Sequence, residues 1–237
     1  MGRRTEVRDQ VLASGKWEFD QEVTEVFDDM LARSIPDYEG MRRTTTELAL
    51  RFAKPKSAIV DLGCSRGQAL RRIYEATDLD LHYYGIEISE PMREASQKEI
   101  PYATILDTDL RHDYPPLQAS VTLSVLTLQF TPIEYRQKII ENVYNSTLPG
   151  GAFILVEKIL GSDSFANDLF VDTYYDRKGE NGYTQEQINA KRESLEGVLV
   201  PVTESWNREL LTSAGFKHVD AFWRHLNFAG WIGIKDV

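Results

Sequence analysis

Cysteine and histidine are scarce in this chain, with one cysteine and four histidines among 237 residues. A single cysteine excludes an internal disulfide and a cysteine-rich zinc site. The histidines are scattered without the spacing of metal ligands: His82, His112, His218 and His225. The sequence therefore predicts no metal site.

Positive charge is also in deficit. Lys and Arg total 27 against 37 Asp and Glu, which gives a formal net charge of −10. A field of this sign repels phosphate backbones at long range, although a local basic patch can override it. We expect no direct nucleic-acid partner.

Long apolar runs are missing. Runs such as residues 152–156 are far shorter than the roughly 20 residues of a membrane-spanning helix. The first ten residues are charged where a secretory signal is apolar. These features predict a cytoplasmic protein with no membrane partner.

The apolar pattern that is present alternates between strand and helix. Such alternation predicts an α/β fold of the Rossmann-like type, with a mostly parallel sheet and helices on both faces. Helices are expected near 67–75, after Pro91 and over 133–144. The predicted strands are 58–62, 82–88, 104–106, 120–130, 152–158, 217–225 and 228–234.

Two segments depart from this alternation within what we interpret as one domain over residues 1–237. Residues 1–55 form an N-terminal helical arm, with helices near 22–31 and 44–52. Residues 161–201 form a helical insertion, or lid. In it, Thr184 and Gln187 have the spacing of a capping box for a helix that reaches about residue 199.

The segment that indicates ligand binding is the loop DLGCSRG, from Asp61 to Gly67, between a predicted strand and helix. Glycine allows close approach of the backbone to a ligand, and a helix N-terminus offers free N–H groups. The spacing is not that of a dinucleotide-binding loop, and the carboxylate of Asp61 suits a cationic ligand. The alternative is an ordinary tight turn.

Two further acids follow predicted strands. Glu87 can accept both hydroxyls of a ribose, and Asp109 can accept from an amine such as that of adenine. Each is also compatible with a solvated acid in a loop. Together with Asp61, they favour an adenosine with a positively charged tail, and S-adenosylmethionine fits this description.

The insertion contains a guanidinium on an apolar stripe, because Ile188, Arg192 and Leu195 recur at helical spacing. Arg192 there matches a carboxylate fork to fork. Alternatively its stem packs while its head reaches water or Glu196. We assign Trp17 and Phe19 to packing, and Tyr174 and Tyr175 to packing of the lid, with a pocket for an aromatic substrate as the alternative for these two tyrosines.

Several motifs resemble one family, the carboxy-S-adenosyl-L-methionine synthases, which have the class I methyltransferase fold with a seven-stranded sheet. They are DLGCSRG, LTLQFTP, LPGGA, the late AGF and, more specifically, WEFDQEVTEVFDDMLARSIPDY and NGYTQEQINAKRESLEGV. The resemblance implies that prephenate becomes phenylpyruvate while S-adenosylmethionine becomes carboxy-S-adenosylmethionine. It also implies a homodimer and a product used by a separate enzyme that modifies wobble uridine in tRNA.

The resemblance also implies site residues. Arg192 would bind the new carboxylate, and the adenosyl ligand would contact Tyr38, Gly63, Cys64, Ser65, Glu87, Ile88, Asp109 and Leu110. Asp61 and Gly67 belong to the same loop. Val125 stands where the family has Asn, and Glu87-Ile88 where it often has Asp-Asn. Two other functions therefore stay open: methyl transfer to a small acidic or aromatic molecule, and S-adenosylmethionine binding without catalysis.

Overall fold

One mixed sheet carries the fold, and the computed structural model describes residues 8–12 and 15–237. The helices are α1 (Gln21–Ser34), α2 (Tyr38–Phe52), α3 (Gln68–Glu75), α4 (Glu90–Glu99), α5 (Ile133–Ser146), α6 (Ser164–Glu180), α7 (Gln185–Leu195) and α8 (Glu204–Ala214). The strands are β1 (Ala58–Leu62), β2 (His82–Ile86), β3 (Thr104–Leu106), β4 (Ala119–Val125), β5 (Thr147–Leu160), β6 (Val202–Thr203), β7 (His218–His225) and β8 (Phe228–Ile234).

The strand order is β3-β2-β1-β4-β5-β8-β7, with β6 paired to β5 off this path. Strands β1 to β5 run parallel, whereas β8 is antiparallel to both β5 and β7. The predicted mostly parallel sheet with a closing hairpin is confirmed. The two-residue β6 is an addition that the sequence pattern did not indicate.

Some predicted boundaries were wrong. The strand predicted over 120–130 ends at Val125, because Leu126 has a φ of 59° and turns the chain into a 3₁₀ helix at Leu128–Phe130. The helix predicted to reach residue 199 ends at Leu195, two residues before Gly197 with its φ of 74°. The helix α8 was not predicted at all.

The sheet buries both faces, as a parallel sheet flanked by helices must. Alternate residues of β1, such as Ile59 and Val60, belong to two separate clusters on opposite faces. Helices α5 and α8 cover one face, and α2 and α3 cover the other. The core therefore leaves only the ends of the strands for a ligand.

The N-terminal segment packs over the carboxyl ends of the parallel strands. Trp17, Phe27 and Met30 cluster with Met92 of α4, and partly buried Leu195 of α7 joins them. The arm and the α6–α7 insertion thus meet above the sheet. Among the residues described, no helix is both long and apolar enough to cross a membrane.

Candidate functional site

A cavity of about 340 Å³ opens where the parallel strands end, beneath the arm and the α6–α7 insertion. This volume lies within the range of small-molecule sites. Ten of the residues predicted from the sequence line it: Tyr38, Asp61, Gly63, Cys64, Ser65, Glu87, Ile88, Asp109, Leu110 and Val125. The sequence predictions for the nucleoside site thus converge on one cavity.

The glycine loop needs its glycines for conformation and for space. Gly63 has a φ of 66°, and a Cβ there would overlap the side chain of Thr127. Gly67 has a φ of 79° at the start of α3, and a Cβ there would overlap Ile100. Gly63 lines the cavity, whereas buried Gly67 does not and instead shapes the loop.

Asp61, near the end of β1, is buried and 3% exposed. Burial, with a smaller effect of Glu87, raises the pKa of its carboxyl to about 8. Its side chain accepts no hydrogen bond within the described ranges. A buried carboxyl without a partner costs free energy unless it is neutral or meets a cation, so this atom group favours a cationic ligand.

Glu87 is held rigidly just after β2. Its Oε2 accepts the N–H of Ser65 at 2.9 Å, and its Oε1 accepts the N–H of Ser89 at 2.9 Å. Burial raises the pKa of this carboxyl, and the two hydrogen bonds oppose that shift. Each carboxylate oxygen keeps a further lone pair, so Glu87 can still accept two hydroxyl groups.

Asp109, predicted as an acceptor for a ligand amine, is already paired with an arginine. Arg111 donates from Nε to Oδ1 at 2.9 Å and from Nη2 to Oδ2 at 2.6 Å. This guanidinium holds the pKa of the Asp109 carboxyl below its usual range. A ligand amine there would have to share the carboxylate with Arg111.

The remaining cavity wall beside these acids is largely apolar. Ile88, Leu110 and Val125 contribute aliphatic surface, and the ring of Tyr38 lies 5.0 Å from the guanidinium of Arg42. Burial raises the pKa of the Cys64 thiol well above its usual value, so Cys64 is not an activated nucleophile. The wall suits the faces of a purine more than a charged group.

Sequence reasoning missed three lysines in this cavity: Lys158 at the end of β5, Lys178 on α6 and Lys191 on α7. Burial lowers the pKa of Lys158 and of Lys178 to about 8, and that of Lys191 to about 7. One signal was present in the sequence. Lys158 lies near the carboxyl end of an apolar strand, as Asp61 does, and Glu87 directly follows the end of another.

The aromatic residues that we assigned to packing do pack, and they also line the cavity. The rings of Trp17 and Phe19 lie 6.2 Å apart edge to face, and Tyr174 lies 5.5 Å from Phe228. Trp17, Phe19 and Tyr174 all face the cavity, whereas Tyr175 lines only a second, adjoining cavity. The same three rings therefore pack against their neighbours and form part of the cavity wall.

The predicted apolar stripe placed Arg192 on the buried face of its helix, but the structure places it elsewhere. Its side chain is exposed and lines the second cavity, although its neighbour Ile188 is buried. Lys191, one position earlier, faces the main cavity instead. The two cavities share six lining residues, Lys158, Tyr174, Lys178, Lys191, Leu195 and Leu199, so Arg192 stands beside the main cavity rather than in it.

Comparisons with known proteins agree with this geometry. A family model described as a methyltransferase domain matches residues 59–151. In fold, the chain is similar to the plantazolicin methyltransferase BpumL, with a TM-score of 0.66, 16% identity and 92% of each chain covered. The fold is thus that of the class I methyltransferases.

Relatives define the family more closely. The chain is 38% identical to the carboxy-S-adenosyl-L-methionine synthase of Methylococcus capsulatus, over 92% of this chain and 93% of that relative. It is 35% identical to the one from Aeromonas salmonicida, over 97% of both chains. The chain belongs to the carboxy-S-adenosyl-L-methionine synthase family.

The partly buried ammonium of Lys191 predicts a pH-dependent stability. Its pKa of about 7 lies below the ordinary value of 10.5, so the unfolded chain binds more protons between these pH values. The free energy of unfolding therefore rises with pH across this window, by up to about 1.4 kcal/mol per pH unit for one such group. We expect Lys191→Met to flatten this rise and to stabilise the protein most near neutral pH.

Urea unfolding of the protein without ligand at a series of pH values measures this slope. Lys138→Met, at an exposed lysine of α5, is the matched control and should leave the slope unchanged. Equal slopes for the wild type and Lys191→Met would show that the Lys191 ammonium is solvated in the folded protein.

Proposed function

We propose that this protein is a carboxy-S-adenosyl-L-methionine synthase that takes S-adenosylmethionine and prephenate as substrates. The observation that carries the proposal is the distribution of charge in the cavity, which has buried carboxyls at Asp61 and Glu87 and ammonium groups at Lys158, Lys178 and Lys191. A cationic and an anionic substrate can therefore bind side by side. The relatives that carry this activity in their names match nearly the whole chain.

The nucleoside half of the cavity fits S-adenosylmethionine. Asp61 is a buried carboxyl that lacks a partner within the residues described, and a cationic group of the ligand would supply one. Glu87 presents acceptors for the ribose, and Ile88, Leu110 and Val125 offer apolar surface for adenine. At the two positions that depart from the family pattern, Ile88 and Val125, contact with the ligand would be through dispersion rather than hydrogen bonds.

The protein's own part in the reaction is electrostatic and spatial. The substrates supply a sulfonium with acidic methyl protons, and CO2 and hydroxide as prephenate becomes phenylpyruvate. Trp17 and Phe19 of the arm and Tyr174 of the insertion line the cavity, and their rings would shield these reactive species from bulk water. Proximity within one cavity then replaces a specific protein base.

Arg192 is the residue to which we assign the new carboxylate. A guanidinium fork binds a carboxylate through two parallel hydrogen bonds. Arg192 lines the adjoining cavity with Tyr175, and it lies close enough to lower the pKa of that phenol against the effect of burial. Arg192 therefore lies beside the lysines, where it can bind a carboxylate that is attached at the sulfur end of the nucleoside.

We also propose that the protein is a cytoplasmic homodimer, and that it has no membrane or nucleic-acid partner of its own. The net charge of −10 supports a division of labour, in which the product passes to a separate enzyme that modifies tRNA wobble uridine. The rival function is methyl transfer to a small acidic or aromatic molecule. It is favoured by the apolar Ile88 and Val125, and it would use the same nucleoside site.

The first prediction from this proposal concerns the products. We expect the protein, given S-adenosylmethionine and prephenate, to form carboxy-S-adenosylmethionine and phenylpyruvate in equal amounts, measured by mass spectrometry. Formation of S-adenosylhomocysteine with a methylated acceptor would identify the rival transferase instead. Absence of both expected products under conditions where S-adenosylmethionine binds would reject the synthase.

The second concerns Arg192. We expect Arg192→Ala to weaken binding of carboxy-S-adenosylmethionine at least about tenfold, because a charge-assisted hydrogen bond is lost, and to change binding of S-adenosylhomocysteine little. Calorimetric titration measures both constants. Arg208→Ala serves as the control, because Arg208 is exposed and, among the residues described, forms an ion pair only with Asp220, at 3.8 Å. Equal losses for the two ligands would remove the assigned role.

The third concerns Asp61. Its pKa of about 8 keeps the carboxyl mostly protonated at neutral pH, and a cationic ligand lowers that pKa. Binding of S-adenosylmethionine should therefore release protons, seen as a buffer-dependent binding enthalpy at pH 7. We expect Asp61→Asn to reduce the release and the affinity, and exposed Asp78→Asn to change neither. Unchanged release in Asp61→Asn would place the ligand cation elsewhere.

A further inference from the structure

Three ammonium groups from three separate elements converge on one part of the cavity. Lys158 lies near the end of β5, Lys178 lies in the last turns of α6, and Lys191 lies on α7. All three line both the main cavity and the adjoining one. They are also close in space, because Lys158 lowers the pKa of Lys178, and Lys178 lowers that of Lys191.

Aromatic faces, rather than carboxylates, hold these lysines. The Nζ of Lys158 lies 5.0 Å and that of Lys178 5.7 Å from the ring centre of Tyr174. The Nζ of Lys191 lies 4.5 Å from the ring of Trp17. Across the described part of the chain, none of the three ammonium groups donates a hydrogen bond or forms an ion pair.

One carboxylate is near, and it is already engaged. Asp9 favours the charged forms of Lys178 and Lys191, and Arg33 opposes it. The Asp9 Oδ2 accepts the hydroxyl of Tyr183 at 2.5 Å, and its Oδ1 accepts the N–H of Val11 at 3.1 Å. The three lysines therefore share one carboxylate, and its oxygens already accept hydrogen bonds from other groups.

This arrangement costs stability in the free protein. Lys178 is only 4% exposed, and a buried ammonium without a partner loses its hydration. Cation–π contacts recover only part of that loss. Such a cluster is far better explained by an anion that binds there, since a bound anion supplies the missing partners.

The basic cluster is distinct from the nucleoside end. Burial and Glu87 account for the raised pKa of Asp61, and no lysine is near enough to lower it. The cavity therefore has an acidic part and a basic part, with the rings of Trp17 and Tyr174 at the basic part. Those rings offer apolar faces for the carbon skeleton of a ligand whose ends are charged.

We propose that Lys158, Lys178 and Lys191 form the binding subsite for a small organic dianion, a dicarboxylate with a cyclic body, held next to the nucleoside. The assignment rests on the proposed function, because it places the substrate that donates the carboxyl group. In this assignment the three lysines recognise the substrate that donates the carboxyl group, whereas Arg192 contacts the new carboxylate of the product.

The test measures binding without turnover. Prephenate, a dianion, and phenylpyruvate, a monoanion, are titrated into full-length protein saturated with S-adenosylhomocysteine, for the wild type and for Lys158→Met, Lys178→Met and Lys191→Met. Each variant should bind prephenate at least about tenfold more weakly, as expected for one lost charge-assisted hydrogen bond. Affinity for S-adenosylhomocysteine should change less than about twofold, and exposed Lys138→Met should match the wild type.

Two further measurements distinguish a role of the lysines in substrate recognition from a purely structural role. The thermal midpoint of each variant should not fall, because methionine replaces a buried charge that has no partner. In steady state, the KM for prephenate should rise while the KM for S-adenosylmethionine stays constant. Unchanged prephenate affinity, or an equal loss for the nucleoside, would overturn the assignment.

The outcomes also separate this inference from the proposed function. If the wild type forms no carboxylated product but binds dianions through the lysines, the synthase proposal fails and the subsite stands. If the wild type is an active synthase and none of the three substitutions changes the KM for prephenate, the assignment of the lysine subsite fails and the synthase proposal stands.

Discussion

The parallel register of β1, β2, β4 and β5 is the constraint on which the site depends. These strands end at the same edge, with Leu62 opposite Ile86 on one side and Ser124 on the other. The strand order reverses between β1 and β4, and such a reversal opens a crevice that helices cannot fill. Asp61, Glu87 and Lys158 line the same cavity because each lies near the carboxyl end of a parallel strand.

The parts of the site that depend on local chain geometry were predictable from the sequence. A strand that contains Asp61 near its end, followed by glycines that take a positive φ, has few folded forms other than a strand–loop–helix unit. The same holds for the Thr184 capping box, whose reciprocal hydrogen bonds involve residues three apart. Local patterns identify a loop or a cap because the residues that stabilise it are close in sequence.

The parts that depend on distant elements were not predictable in the same way. Lys191 and Arg192 are neighbours about 100° apart on α7, and both complete an apolar stripe with Ile188 and Leu195. Only the packing of α7 over the arm decides that Lys191 turns inward, against Trp17. The pairing of Asp109 with Arg111 is local, but it forms in an irregular loop, and helix or strand periodicity does not describe such a loop.

The buried acids and lysines explain each other once both substrates are considered. Without ligands, burial moves the pKa of Asp61 up to about 8 and that of Lys191 down to about 7, so near neutral pH the cavity carries less charge than its sequence suggests. A cationic nucleoside favours ionised Asp61 and releases a proton, whereas a dianion favours charged Lys191 and takes one up. The two proton movements oppose each other when both substrates bind. Under the proposed function, the cavity would therefore bind a cationic and an anionic substrate with little net exchange of protons.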